Sequence, residues 1–370
     1  MRRYIYQLPE WPRFYWNQEA LARPLVAVRH RQGRLLGRME ALGFTLREEA
    51  ELETLTLDVL KSSEIEGEKL DAKQVRSSIA RRLGMDIAGA VPAEREVEGV
   101  VEMMLDATQN FDKPLTKERL FGWHAALFPI GRSGMRKITA GAWRTDADGP
   151  MQVVSGPVGK GKVHFEAPAA ALLEGEMSRF VEWANETDST DLVLRSALAH
   201  LWFVTLHPFE DGNGRIARTI ADWFLARSEN SAQRFYSMSA QIRQERKAYY
   251  DILEKTQKGP LDVTPWMEWF LGCLDRAFDA TETTLATVLR KARIWERLAG
   301  TAINERQRLV LNRMLDDFEG KLTSTKWAKI GKCSHDTALR DIQYLIDKDV
   351  LVKNAAGGRS TNYSLRKIEG

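Results

Sequence analysis

His207-Pro208-Phe209-Glu210-Asp211-Gly212-Asn213-Gly214-Arg215 is the most informative stretch of this chain, and Arg218 follows it by three residues. Taken singly, its members describe a helix ending near His207, an Asp-Gly/Asn-Gly turn and a new helix after Gly214. Their combination asks for more. Gly212 and Gly214 permit unusual backbone angles and leave amide groups uncovered. With Asn213 they lead into a helix whose first free N–H groups point the same way, which makes an anion site. Asp211 adds a carboxylate suited to Mg²⁺, an ion that takes oxygen ligands and phosphate partners. Arg215 and Arg218 stand one turn apart on the following helix, where both reach the same polyphosphate. His207 is the only histidine beside this cradle and exchanges a proton near neutral pH. A base, a metal ligand, an anion hole and two cations so close together in the chain predict phosphate-group transfer.

Outward from this stretch the periodicity is helical. Apolar residues recur three or four apart over Gln18–Leu42, Leu46–Lys61, Asp71–Leu83, Glu94–Gln109 and Thr116–Leu127, the last announced by Pro114. Further helices are expected at Ala169–Ala184, Leu192–Leu206, Arg215–Arg227, Gln241–Gln257 and Thr264–Leu289. In Arg215–Arg227, Ile216, Ile220, Trp223 and Phe224 fall on one face. Between Gly131 and Glu166 the pattern changes: glycines cluster, and Val153-Val154 and Val163-His164-Phe165 read as short strands of a β-hairpin flap. The C-terminal part has its own pattern. Helices are expected at Glu305–Phe318, Thr325–Ile330 and from an N-cap at Ser334 to Asp347. A hairpin of Val350–Val352 and Tyr363–Leu365 about a Gly357-Gly358 turn follows. Three helices and a hairpin predict a winged helix-turn-helix domain. The fold class is thus mainly α, with three parts at 1–93, 94–290 and 291–370.

Composition is that of a soluble globular protein: of 370 residues, 44% are hydrophobic and 28% charged. A net charge of +3 supplies no global basic field for nucleic acid or acidic membranes. Cys273 and Cys333 are too few for a disulfide framework and lack metal-ligand spacing, which fits a reducing compartment. Arg2 and Arg3 make the N-terminus basic, but Pro9, Glu10 and Pro12 interrupt any signal-peptide core. No stretch approaches the roughly twenty apolar residues that span a bilayer. A soluble, cytoplasmic protein with no membrane partner is expected.

The central stretch resembles the core motif of the Fic family, HxFx[DE]GNGRxxR. His207, Phe209, Asp211, Gly212, Asn213, Gly214, Arg215 and Arg218 fill every specified position. Gly141-Ala142-Trp143-Arg144 is similar to the family's GxYR element, with Trp in place of the usual aromatic. Val163–Pro168 sits where the family places its target-binding flap, so Val163, His164 and Phe165 are candidate target contacts. Tyr249 and Gln257 occupy positions that in relatives help hold the nucleotide base. The Tyr4–Trp16 block resembles the leader domain of many bacterial members. The resemblance implies transfer of AMP from ATP to a Ser, Thr or Tyr hydroxyl of a target protein and of the chain itself, with release of pyrophosphate. It assigns His207 as general base, and Asp211 as holder of Mg²⁺ against the α- and β-phosphates. Gly212, Asn213 and Gly214 become the phosphate cradle, and Arg215 and Arg218 the partners of the β- and γ-phosphates. Phe209 is read as a core anchor.

Ser62-Ser63-Glu64-Ile65-Glu66-Gly67 fits the family's inhibitory motif [ST]xxxE[GN]. By itself it reads first as a helix end with a Gly C-cap and an exposed Glu. Beside the complete core motif it implies that Glu66 pairs with Arg218 and is inhibitory, as in the class regulated by an N-terminal helix.

Two other leads fail on their own chemistry. Gly156-Pro157-Val158-Gly159-Lys160-Gly161-Lys162 begins like a P-loop, but Val163 stands where Ser or Thr must bind Mg²⁺. His124, His164 and His200 are not spaced as a metal cluster; His164 is a candidate substrate contact and the others packing residues. A DNA-binding regulator is the alternative from another class. Residues 301–370 hold thirteen Lys/Arg against nine Asp/Glu, and the recognition-helix candidate carries Asp336, Asp341 and Asp347 beside His335, Arg340 and Lys348. That is a weak phosphate-backbone surface, although Lys353 and Arg359 of the wing keep it open beside a protein-docking role. Removal of AMP, or transfer of another phosphate-containing group, is the alternative reaction on the same fold. The target protein stays unnamed by the sequence, and a homodimer stays open.

Overall fold

The computed structural model describes residues 4–42, 44–87, 89–155, 161–298, 300–315, 318, 320–354 and 361–366. Two compact units divide the chain, Met1–Thr283 and Thr284–Gly370. The first holds helices α1 (Gln18–Glu40), α2 (Phe44–Ile65), α3 (Ala72–Arg82), α4 (Arg95–Gln109) and α5 (Lys117–Leu127). Two hairpins follow, β1 (Arg132–Ser133) with β2 (Arg136–Lys137), and β3 (Gln152–Ser155) with β4 (Lys162–Glu166). Then come α6 (Leu173–Asn185), α7 (Leu192–Leu206), α8 (Asn213–Glu229), α9 (Met238–Gln244), α10 (Arg246–Gln257) and α11 (Thr264–Arg297), which runs past the unit's last residue.

Local chemistry sets the helix starts. Asn17, Asp71, Thr116 and Asp191 each accept a backbone N–H from the first turn of the helix they precede. α7 carries apolar residues on every side, and every residue from Val193 to Leu206 is buried, the polar Arg195, Ser196, His200 and Thr205 included. A helix of that kind belongs at the centre of a core, and it packs along α8. The face of α8 carrying Ile216, Ile220, Trp223 and Phe224 is buried, as its spacing predicted.

The expected helix Gln241–Gln257 is two helices. The chain breaks at Glu245 (φ −101°, ψ 23°). Its carboxylate there takes two hydrogen bonds from Arg276 of α11, at 2.5 and 2.6 Å. α9 begins earlier than expected because Ser237 caps it. In the flap, Val153 lies opposite Phe165 and Val154 opposite Val163, which leaves His164 as the extra residue of a β-bulge. Residues 156–160, most of the P-loop-like run, lie outside the described residues. Lys162, which ends that run, opens a strand and not a helix. The N-terminal segment covers the flap's inner side: Tyr4 and Tyr6 meet the Phe165 ring edge-on at 5.0 and 6.1 Å. Tyr15 exchanges backbone hydrogen bonds with Leu261 and Val263 at 3.0 and 2.9 Å.

In the second unit α12 (Glu305–Leu315), α13 (Ser324–Ile330) and α14 (His335–Asp347) precede the antiparallel pair β5 (Leu351–Lys353) and β6 (Tyr363–Leu365). Leu311, Trp327, Ile342 and Leu345 form its core. Asp341 ties the three helices together, accepting from Arg306 at 2.6 and 3.0 Å and from the Trp327 indole at 3.3 Å. The Gly357-Gly358 turn and Arg359 lie outside the described residues. Among the described residues no helix is long and apolar enough to cross a membrane.

Candidate active site

α7 ends in a left-handed residue that is not glycine: His207 has φ 48° and ψ 57°. That conformation costs an L-residue about 1–2 kcal/mol, so its surroundings must hold it. Arg144 does much of this. Its Nε donates to the His207 carbonyl at 2.8 Å, its backbone N–H to Pro208 at 2.9 Å, and its Nη2 to Pro168 at 2.5 Å. Phe209, next in the loop, is fully buried. Its ring stacks on His124 at 4.1 Å and packs on Trp143 at 5.0 Å.

Two details differ from the sequence reading. Helix α8 starts at Asn213, not after Gly214, and only Gly212 needs a glycine's backbone freedom (φ 77°). Gly214 lies within the helix, and the room left by its missing Cβ is filled by Glu66 Oε1. The Asn213 side chain is also committed. It accepts from the Phe209 N–H at 2.9 Å and donates to the Phe209 carbonyl at 2.8 Å, clasping the loop. Any share of Asn213 in an anion cradle therefore falls to its backbone amide.

Asp211 sits at the mouth of this turn. One carboxylate oxygen accepts from Gly212 N–H at 2.6 Å and the other from the Ser133 hydroxyl on β1. One fixed carboxylate at a helix N-terminus is a donor set that fits Mg²⁺, which keeps several waters and takes the rest of its shell from substrate phosphates. It is not an all-protein cage, and among the described residues no cluster of three or more His, Cys, Asp or Glu could form one.

Burial pushes the His207 imidazole down to about 4, so the ring is neutral at physiological pH. Its Nδ1 faces the Val204 carbonyl at 3.3 Å. A carbonyl can only accept, so Nδ1 carries the hydrogen and Nε2 keeps the lone pair. Arg218 is buried to 3% exposure. Burial opposes its charge, but Glu66 beside it keeps its pKa above the ordinary value. Its guanidinium donates to Glu66 Oε1 at 2.8 Å and to the Ser62 hydroxyl and carbonyl at 3.0 and 2.9 Å. Arg215 reaches Glu68 at 2.5 Å and lies over the Phe128 ring at 5.2 Å. The end of α2 is held here by its own contacts. Asp58 accepts from Ser237 and Ser239, and Arg246 Nε donates to the Ile65 carbonyl at 2.9 Å.

The remaining sequence candidates fall in three settings. Tyr249 and Gln257 face inward from α10: the Tyr249 hydroxyl meets His200 Nε2 at 2.8 Å, and Gln257 Nε2 lies 3.4 Å from both Val204 O and Thr205 Oγ1. Of the flap residues, Phe165 is core, packed under Tyr4, and offers no surface to a target. His164 is bound on both ring nitrogens, to Ser155 Oγ and to Glu254 Oε2 of α10, each at 2.6 Å. Val163 is half-buried. His124 and His200 are packing residues, and burial pushes them to about 4 and about 3. Sequence reasoning missed Ser133 and Glu68. A serine in a loop carries no signal, whereas Glu68, two residues beyond Glu66, stood in plain view.

Residues 114–225 match the family model described as the Fic/DOC family, and residues 4–85 one described as a domain of unknown function (DUF4172). The protein adenylyltransferase Fic of Culex quinquefasciatus is 34% identical over 105 residues, 28% of this chain and 19% of that protein. Its Drosophila melanogaster counterpart is 33% identical over 105 residues, 28% of this chain and 20% of that one. The matched stretch thus spans about a fifth of these curated relatives. A solved Fic family protein from Desulfovibrio desulfuricans G20 shares the fold at a TM-score of 0.55 and 20% identity, covering 96% of this chain and 98% of that one.

Proposed function

We infer, for a chain that carries a Fic/DOC-family domain in residues 114–225, that it transfers AMP from ATP to a Ser, Thr or Tyr hydroxyl of a target protein and of itself, and that Glu66 restrains it. One observation carries this reading. A buried Arg218 is held by Glu66 at 2.8 Å, six residues past the Gly212 N-cap, on the helix that follows the loop of a neutral His207. In the step proposed, the target oxygen attacks the α-phosphorus, the bond to the β-phosphate oxygen breaks, and pyrophosphate leaves. The hydroxyl proton passes to His207 Nε2. Backbone amides at the start of α8 and the guanidinium groups of Arg215 and Arg218 take phosphate charge. Mg²⁺, held through Asp211, would neutralise charge on the departing pyrophosphate. Tyr249 and Gln257, on the inner face of α10, are proposed to border the base. Val163 and His164 are proposed to line the target's path.

The setting proposed is cytoplasmic, since Cys273 and Cys333 are free thiols. The order of three helices and a hairpin supports reading the second unit as a winged helix-turn-helix module.

The experiment is incorporation of labelled ATP by wild type, Glu66→Gly and Glu66→Gly/His207→Ala. Misalignment of a phosphate at this range costs roughly a hundredfold in rate, so Glu66→Gly should label far above wild type and the double mutant should not label. Unchanged or lower labelling in Glu66→Gly removes Glu66 from the mechanism. Labelling that survives in the double mutant removes His207.

A further inference from the structure

We propose that Glu68 is a second restraining carboxylate, so that the end of α2 occupies both motif arginines as an internal stand-in for polyphosphate. The inference rests on the reading that Arg215 and Arg218 are phosphate partners. It starts from a pairing that the [ST]xxxE[GN] motif does not contain: Arg215 Nη1 meets Glu68 Oε2 at 2.5 Å.

The geometry explains how two acids so close together reach two arginines. Arg215 and Arg218 are three residues apart on α8 and share a face. Glu66 and Glu68 are two residues apart, and Gly67 between them is left-handed at φ +88°, so the chain turns between the two acids. The turn is closed by Glu68 N–H donating to Ser63 O at 3.1 Å, the same carbonyl that accepts from Glu66 N–H at 3.1 Å. Both carboxylates are thereby delivered from one helix end that Arg246 secures at Ile65.

The two pairs are unequal. The side chain of Glu68 is 43% exposed and that of Glu66 29%, while both arginine side chains are 3% exposed. Arg218 also donates to Ser62, whereas Glu68 is the one side-chain acceptor Arg215 has among the described residues. The Arg215 pair is therefore the weaker latch and the first to yield to an incoming anion, and the Arg218 pair the stronger. Removing Glu66 alone still leaves Arg215 engaged. Each pair should oppose a triphosphate independently.

The test is equilibrium binding of α,β-methylene-ATP with Mg²⁺, and of adenosine, to the full chain by calorimetry. The variants are Glu68→Gln, Glu66→Gly and the double mutant, with Glu68→Ala as a second substitution. A partly exposed pair is worth about a fivefold change in affinity. Glu68→Gln should tighten the triphosphate about fivefold in both the wild-type and Glu66→Gly backgrounds and leave adenosine unchanged. Affinity that is unchanged or weaker in both backgrounds, while Glu66→Gly binds well, overturns the role of Glu68 alone. Absence of triphosphate binding by every variant overturns the reading of the site and this inference together.

Discussion

Arg144 Nε donates to the carbonyl of His207 at 2.8 Å across a separation of 63 residues. The acceptor belongs to a left-handed residue at a helix end, where a carbonyl has no helical partner. The Arg144 side chain is wholly buried and also holds Asp146 and the Pro168 carbonyl. It thus joins the His207–Gly212 loop to the segment that follows the flap.

Arg144→Lys should accordingly damage the site from behind. An ammonium cannot serve three acceptors in one plane, so at least one buried carbonyl loses its donor, at a cost of about 1–3 kcal/mol. Thermal melting should show that loss. In a Glu66→Gly background, labelling should fall at least tenfold while triphosphate affinity stays within about twofold, because Arg144 touches no phosphate-binding group. Equal loss of affinity and rate would place Arg144 at the ligand.

Asn213 is expected to act through the loop and not through its amide. Asn213→Asp keeps the acceptor for Phe209 N–H but turns a carboxylate oxygen toward the Phe209 carbonyl. We expect a destabilisation of about 2 kcal/mol or more, read from the denaturation midpoint. A stable Asn213→Asp variant that fails only in nucleotide binding would return the side chain to the cradle.

The acid limb of activity should lie well below the ordinary histidine value. A general base works when unprotonated, so activity is present above the pKa of His207 and lost as pH falls through it. Burial has moved that pKa down to about 4. In Glu66→Gly, the rate should therefore hold from pH 7 to about pH 5 and fall below that. An acid limb near 6.5 would mean that the ring is solvated when ATP is bound.

His164→Ala should free the flap without unfolding the protein. Its bulge directs the ring to Glu254, which the network with Lys258 and His164 holds at about 2 against the effect of burial. The pair is partly exposed, so its loss should cost under about 1 kcal/mol. Hydrogen exchange in β3 and β4 should accelerate, and transfer to a separate target should fall more than self-labelling.

Much of this was legible because it is local. Caps, apolar stripes and glycine turns act within a few residues, so α1, α3, α5, α7 and α14 lie within a residue or two of where their spacing puts them. The missed break at Glu245 has a tertiary cause, the grip of Arg276, and periodicity carries no sign of it. Phe165 shows the same limit. Its strand was readable, but the N-terminal segment that buries it decides which face is core.

The sequence by itself determined the local architecture of residues 207–218, because a helix end, a left-handed turn and a helix start are contiguous and their polar groups arrive in fixed order. Only the tertiary structure decided what those groups face. Glu66 and Glu68 come from 152 and 147 residues away to meet Arg218 and Arg215. The missing Cβ of Gly214 makes room for that approach. The Asn213 amide turns inward because the buried Phe209 backbone offers it a donor and an acceptor together. An ion pair needs its partners within a few ångströms, and chain separation says nothing about that distance until the helices between them have packed.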